Sequence, residues 1–438
     1  MRLMGAWRVG DVLVFSLVAL LALFQVALGG NLPVLVALYA AAVGALAIGY
    51  GLVLWTRGES FPVPPRALAV EGILWISMLG FVFIQGLWPT DASEDGSRAW
   101  SAARGATWIT CIHLVGLGLM YFLAAQATLR TGRGNLMLVS IVIISTALAI
   151  YALLALTQFG DTILGVPKWA YPGVATGTFV NRNSLATVLA LGLAVVGALL
   201  VGQAADGTDA AMWQRRVLLC IAAVVMAAAL LATASRTGLI AAAVGVLIAI
   251  VLSRARPLAI LALSLGGLLL MGFLLAPLYG EQFVDRLAQL DLTQDDRWLL
   301  YNQILEMILD KPLLGHGAGA FEYAFPHYHH LPLSSDLVWS KAHSVYLSSL
   351  AELGVVFAPV AYLAVIATCV RLVRVARSNV SNLPRIVGCI SAIAAVAVHS
   401  VFDFGLEIPS IAYLFAAILG TGAAGAAYPA LLPRNTNE

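Results

Sequence analysis

Two arginines stand where a membrane protein would be expected to avoid them. In GTFVNRNSLATVLALG, Gly177 to Gly192, Arg182 lies between Asn181 and Asn183, directly before an apolar run long enough to enter a bilayer. In TASRTGLIAA, Arg236 has only Ser235, Thr237 and Gly238 for polar or small company between two apolar runs. A guanidinium at the centre of a span costs about 2.5 to 3.5 kcal/mol, so each must reach a partner, and ionisable groups at membrane depth are functional by default. Snorkelling to lipid phosphates is the bland alternative. The planar fork of arginine donors suits a phosphate bidentately. Two such forks at neighbouring helix ends could neutralise a diphosphate without a metal ion.

Proton chemistry has its own candidates. KAHSVYLSSLAELG sets Lys341 and His343 at the mouth of a later apolar run, and an ordinary histidine, with a pKa near ~6.5, exchanges protons at working pH. An interfacial histidine satisfied by water or a carbonyl explains the position equally well. HSVFDFGLEIP carries Asp403 and Glu407, which fit either a sugar subsite or a structural bond to the outer arginines. HYHH (His327, Tyr328, His329, His330) invites a metal, but adjacent histidines point apart and no acid sits beside them. The glycines of GHGAGAF, Gly315, Gly317 and Gly319, follow no strand and match no nucleotide fingerprint, so they read as a flexible turn.

These groups need elements to hold them, and composition says which. Of 438 residues, 61% are hydrophobic and 11% charged, against about 25% charged in a soluble domain. The chain is therefore expected to be an all-α, polytopic membrane bundle. A net charge of +2, with arginines scattered between apolar segments, excludes a nucleic-acid binder. The four cysteines, Cys111, Cys220, Cys369 and Cys389, form no CxxC pair and suggest neither a zinc site nor a disulfide framework.

At about 20 residues per crossing, about twelve spans are expected, near 12–29, 33–55, 67–88, 107–126, 135–158, 185–202, 217–234, 238–253, 257–277, 345–370, 386–402 and 409–431. The charged start with Leu13 to Leu28 reads as a retained first helix rather than a removed signal, because it leads straight into another span. About fifteen of the 24 Lys and Arg fall in alternate loops and at the termini. The positive-inside rule makes that side cytoplasmic, with both termini there. Arg182, Arg236, His343 and most acids then lie on the outer, periplasmic side.

That side holds two long connections, Gly160 to Ser184 and Leu278 to Ser344. The second divides the chain into 1–277, 278–344 and 345–438, and a connection of its length is usually functional. Within it, LTQDDRWLLYNQILEMILDKPLLGHGAGAF predicts an amphipathic helix capped by Thr293, with Leu299, Ile304, Leu305, Ile308 and Leu309 on its apolar face and Pro312 and Gly315 as its stop.

Taken together, GTFVNRNSLATVLALG, ASRTGLIAA, DRWLLYNQILEMILDKPLLGHGAGAF, KAHSVYLSSLAELG and HSVFDFGLEIPSIAYLFAAILG resemble, in order, the blocks of the bacterial O-antigen ligase and polymerase superfamily. The likeness covers Gly177 to Gly420. It implies a membrane glycosyltransferase of the inner membrane that needs no cofactor or metal. The donor would be a glycan on undecaprenyl diphosphate. The acceptor would be a hydroxyl of lipid A-core in a ligase, or a growing lipid-linked polysaccharide in a polymerase. Carried over, Arg182 and Arg236 hold the diphosphate, with Arg297 and Lys341 as further cations. His343 activates or orients the acceptor hydroxyl, with Asp403, Glu407 or Asp296 in reserve. Asn181, Asn183, Tyr301, Asp403 and Glu407 line sugar subsites. Ligases commonly follow the histidine with asparagine; here Ser344 follows, which leaves that neighbour's role open. The rival readings are a membrane transporter, which would carry charge at mid-membrane, a non-catalytic subunit of an envelope complex, and a hydrolase using the histidine-rich loop and a metal.

Overall fold

The computed structural model describes residues 9–88, 100–202, 210–252, 296–336, 338–377 and 382–431. Hydrocarbon offers no partners to backbone N–H and C=O groups, so apolar runs of this length satisfy them internally as helices. In chain order these are α1 (Val9–Val26), α2 (Pro33–Arg57), α3 (Ala69–Leu87), α4 (Arg104–Ala127), α5 (Thr131–Thr157), α6 (Arg182–Gly202), α7 (Ala210–Ala232) and α8 (Arg236–Leu252). After the long connection come α9 (Asp296–Asp310), the short α10 (Phe321–Ala324), α11 (Val345–Arg377), α12 (Leu383–Phe402) and α13 (Pro409–Leu431). Among the described residues ten helices are long and apolar enough to cross a membrane, and α8 is a shorter apolar helix. Each expected span within the described residues has a helix at its place. The ninth, 257–277, lies outside them, as do Thr293, Arg98, Arg254, Arg256 and Arg286. The one sheet among the described residues is a two-stranded antiparallel hairpin, β1 (Thr162–Ile163) with β2 (Val166–Pro167), in the loop before α6.

Three helices form the interior. The apolar stretches of α6, α12 and α13 are 89%, 72% and 100% buried. Helix α8 packs on both α6 and α12, and α13 packs on α4. Small side chains set the spacing: a Cβ on Gly245 of α8 would stand 2.9 Å from the Cβ of Ala194 on α6 and 3.1 Å from that of Ala395 on α12. Close backbone approach of this kind is how apolar helices pack when lipid is as apolar as they are.

The two ends of the bundle differ. At one end arginines tie helices together. Arg371 of α11 reaches Glu71 of α3 at 2.7 Å and donates to the Ala67 carbonyl. The fully buried Arg385 of α12 donates to the Thr128 carbonyl at 2.6 Å. At the other end, where α6, α8 and α11 begin, the connection from α9 to α11 folds over the bundle on its own core. Leu300, Ile304, Met307 and Ile308 of α9 pack against Phe321, Phe325, Leu333, Ala342 and Ala351.

The helix predicted in that connection is present, but its buried face is rotated from the expected one. Leu305 and Leu309 are exposed at 47% and 75%, while Leu300 and Met307 are buried. Leucines lie all round this short helix, so periodicity alone did not fix which of them met the core.

Candidate active site at the helix N-termini

Each of the two outlying arginines occupies the first position of a capped helix. At α6, the Asn181 side-chain oxygen accepts the Asn183 N–H at 2.7 Å, and Arg182 is the helix's first residue. At α8, the Ser235 hydroxyl accepts the Gly238 N–H at 3.2 Å, and Arg236 comes next. Caps of this type satisfy donors left over by the helix. Here they also fix the direction in which each guanidinium departs. The turn entering α8 is tight: Ala234 adopts a left-handed φ of 51°, and Thr233 bonds both back to the Leu230 carbonyl and forward to the Ser235 N–H. Arg182 lies over the Tyr171 ring, 5.6 Å from its centroid.

One buried histidine brings these helix starts together. His399, near the end of α12, is in contact through Nδ1 with the Thr187 hydroxyl of α6 at 3.2 Å and through Nε2 with the Thr237 hydroxyl of α8 at 3.4 Å. Thr187 lies one turn below Asn183 and also donates to its carbonyl, while Thr237 directly follows Arg236. The N-terminal turns of α6 and α8 are therefore clamped side by side. Each carries the positive end of a helix dipole and begins with an arginine.

Asp403 completes the buried floor. Its Oδ2 accepts from Asn183 Nδ2 at 2.5 Å, and its Oδ1 is buried with no partner among the described residues. Burial pushes the Asp403 carboxyl up to about 7, against the opposing pull of Asn183 and of the Arg297 charge. Arg297, in the first turn of α9, also acts electrostatically on His399, so a third helix start contributes a cation here. Gly405 permits the close return of the chain after Asp403: a Cβ there would fall 2.4 Å from the Thr187 hydroxyl.

His343 stands beside this floor. Its φ of 51° is left-handed, a conformation that a non-glycine residue keeps only when its surroundings impose it. The imposing contacts are the Tyr301 hydroxyl, which donates to the His343 carbonyl at 2.8 Å, and the Phe404 and Trp339 rings, edge-on to the imidazole with centroids 5.0 and 6.0 Å away. The next turn is joined to the floor by Val345 N–H to the Asp403 carbonyl at 3.3 Å. Ser344, the departure from the ligase pattern, donates to the Ser400 carbonyl at 3.4 Å.

Lys341 and Glu407 pair with each other at 3.0 Å. Burial works against the Lys341 charge, but Glu407, helped by Glu352 and Glu322, more than offsets this and holds its pKa above the ordinary lysine range. Asn183 and Tyr301 are likewise committed to contacts within the chain, so the structure draws all ten candidate residues into one neighbourhood but divides them. Arg182, Arg236, Arg297 and His343 keep some access to solvent, Arg236 most of all, above a buried floor of Asn183, His399 and Asp403. His399, Thr187 and Thr237 were not singled out from the sequence. The available signal was spacing, since Thr187 follows Asn183 by four residues, one helical turn, and His399 precedes Asp403 by four at the end of α12.

The glycine loop proves to be an ordered anion-binding turn whose anion belongs to the chain. The Gly319 and Phe321 N–H groups donate to the two carboxylate oxygens of Glu352 at 2.8 and 3.1 Å. Gly354, with φ 66°, breaks α11 just beyond, where a Cβ would lie 2.2 Å from the Leu313 carbonyl oxygen. The histidines of HYHH go separate ways: His327 contacts the Ala324 carbonyl, His329 stacks on Phe325, and His330 meets Glu306 at 3.3 Å. Among the described residues no three His, Cys, Asp or Glu side chains are grouped to hold a metal ion.

Residues 221–358 match the family model described as O-Antigen ligase. No curated protein matches the chain. The matched stretch includes Arg236, Arg297, Tyr301, Lys341 and His343, while Arg182, Asn183, His399, Asp403 and Glu407 lie outside it. An all-α bundle with ten candidate spans among its described residues thus carries, over residues 221–358, a stretch similar to the O-antigen ligase family.

Proposed function

We propose that the chain is a membrane glycosyltransferase that moves a glycan from undecaprenyl diphosphate to a sugar hydroxyl at the outer face of the inner membrane. The proposed reaction is the ligase-type transfer to lipid A-core. The observation that supports this reading is the contact of His399 with both α6 and α8, the two helices that begin with Arg182 and Arg236. The diphosphate binds across these arginines, with Arg297 as the third cation. Lys341, already paired with Glu407, supports the rim.

In the reaction the bond between the anomeric carbon and the diphosphate oxygen breaks, and the diphosphate keeps the electron pair. The acceptor oxygen forms the new bond on the opposite face, inverting configuration, and its proton passes to a base. Positive charge already fixed where the leaving anion develops lowers the barrier, as donors in an oxyanion hole do. His343 is the first choice as base, from its place at the rim. Asp403 is the second, because its buried carboxyl has a free oxygen and a pKa near 7, the range that suits general-base catalysis.

The test is reconstitution in vesicles with an undecaprenyl-diphosphate glycan and, in separate arms, lipid A-core or a second lipid-linked glycan, each with EDTA. Transfer to lipid A-core is expected, and Arg182→Ala and Arg236→Ala should each abolish most of it. Transfer only to the second lipid-linked glycan would make the protein a polymerase, and loss of activity in EDTA would end the metal-independent reading.

A further inference from the structure

A separate cavity lies at the opposite, arginine-tied end of the bundle. It measures about 280 Å³ and sits among the ends of α1, α2, α4 and α5. Three cations from two stretches of chain line it: Arg57 at the end of α2, and Arg130 and Arg133 at the start of α5. Among the described residues Glu59 is the only carboxylate in the lining. Arg133 reaches Asp11 at 3.8 Å, and no carboxylate among the described residues pairs with Arg57 or Arg130. The Gln126 wall is held rigid, since its amide both donates to and accepts from the Val63 backbone.

We propose that this cavity binds the phosphate of an anionic phospholipid headgroup. Like charges converging from two elements repel one another, and an anion between them relieves the repulsion. Two features favour a lipid over a free phosphate ion. Val9 and Leu54 line the same cavity, giving the glycerol and upper acyl carbons an apolar wall. Trp55, two residues before Arg57, is 78% exposed, as a tryptophan at the membrane–water boundary is, so the cavity lies at headgroup depth. Basic pockets between helix ends bind anionic headgroups in this way. The volume is just below the range of about 300 to 1,000 Å³ typical of drug-sized ligands, which suits a headgroup and excludes a glycan chain. The proposal does not depend on the transfer reaction assigned to the other end.

The experiment uses the full chain in neutral detergent, titrated with phosphatidylglycerol, phosphatidylcholine or inorganic phosphate, with bound lipid counted by native mass spectrometry and thermal unfolding read in parallel. Phosphatidylglycerol should bind and raise the midpoint, whereas phosphatidylcholine and inorganic phosphate should do neither. At about 1 kcal/mol per arginine near a membrane surface, the double variant Arg57→Gln/Arg130→Gln should weaken phosphatidylglycerol binding about thirtyfold. Arg57→Lys/Arg130→Lys should stay within a few-fold of the parent, which separates lost charge from lost folding. Arg374→Gln/Arg377→Gln, at the same end but away from the cavity, should leave binding unchanged. Equal weakening by both glutamine pairs would reduce the effect to diffuse surface attraction and overturn the site. Binding of inorganic phosphate as tight as that of the lipid, or full binding by Arg57→Gln/Arg130→Gln, would overturn it as well.

Discussion

The inner helices α6, α12 and α13 and the outer helices α2, α3 and α11 are built from similar residues and do different work. The apolar stretch of α13 is wholly buried and yet is the least hydropathic of the ten candidate spans, while those of α2 and α11 are only 22% buried. In water the more apolar helix would go inside. In a bilayer the solvent is as apolar as the core, so hydropathy no longer sorts inside from outside, and packing and polar contacts do. Exposed Ile48 and Leu52 on α2 and Ile73 and Ile76 on α3 are at home against lipid. The polar floor of Asn183, Thr187, His399 and Asp403 rides on α6 and α12 and the turn after them, where every neighbour is protein.

The sharpest way to break this contrast is at the arginines that head α6 and α8, the helix starts joined through the buried floor. Arg182→Ala or Arg236→Ala should lower the rate of glycan transfer about 100- to 1,000-fold, while Arg374→Ala on α11 should change it less than about twofold, both read in the vesicle assay. An equal loss in all three would reduce the site arginines to general surface charge.

The pH dependence of transfer tests the buried floor. Burial raises the folded Asp403 carboxyl from the ordinary aspartate value of 3.8 to about 7, so the carboxylate form, and any rate that needs it, should rise as pH passes through about 7. Asp403→Asn should remove that limb, while His343→Ala should lower the rate across the range and leave the limb in place if Asp403 is its source. A limb lost in His343→Ala and kept in Asp403→Asn would assign the base to His343. The same shift has a stability sign. The folded state holds the Asp403 proton more tightly than the unfolded state, so stability falls as pH rises from about 4 to about 7. Asp403→Asn should flatten that fall in a thermal melt.

Packing should separate the regions more gently. Gly405→Val must displace the Thr187 hydroxyl and, like other overpacked sites, should cost about 1 to 3 kcal/mol. Gly49→Leu on the outer helix α2, where a Cβ would meet nothing within 4 Å, should stay within about 0.5 kcal/mol. Glu407→Gln should fall between these two, because the Lys341–Glu407 pair is partly exposed and such pairs contribute about 0 to 1 kcal/mol. Melting of the detergent-solubilised variants ranks the three.

Much of this was legible in one dimension. Runs of about 20 apolar residues predict spans because lipid forces helix on them, and Arg182 and Arg236 were conspicuous because each was costly where it stood. Asn181 and Ser235, the two caps, adjoin these arginines in the sequence. The Glu352 contact with the glycine loop was not legible, since Gly319 and Glu352 lie on different elements and only the break at Gly354 brings the carboxylate to the loop. The buried face of α9 was misplaced because its leucines surround the helix and nothing local decides between them.

Sequence alone therefore determined the solvent, the helical class and the identity of the expensive residues, because each follows from transfer free energies that depend on residue type. The tertiary structure decided which helices are interior and which charges meet. His399 joins α6 to α8 across 212 and 162 residues of chain, and Asn183 meets Asp403 across 220. Contacts at such separation depend on how small residues let helices approach, and that geometry is a property of the packed bundle, not of any one span.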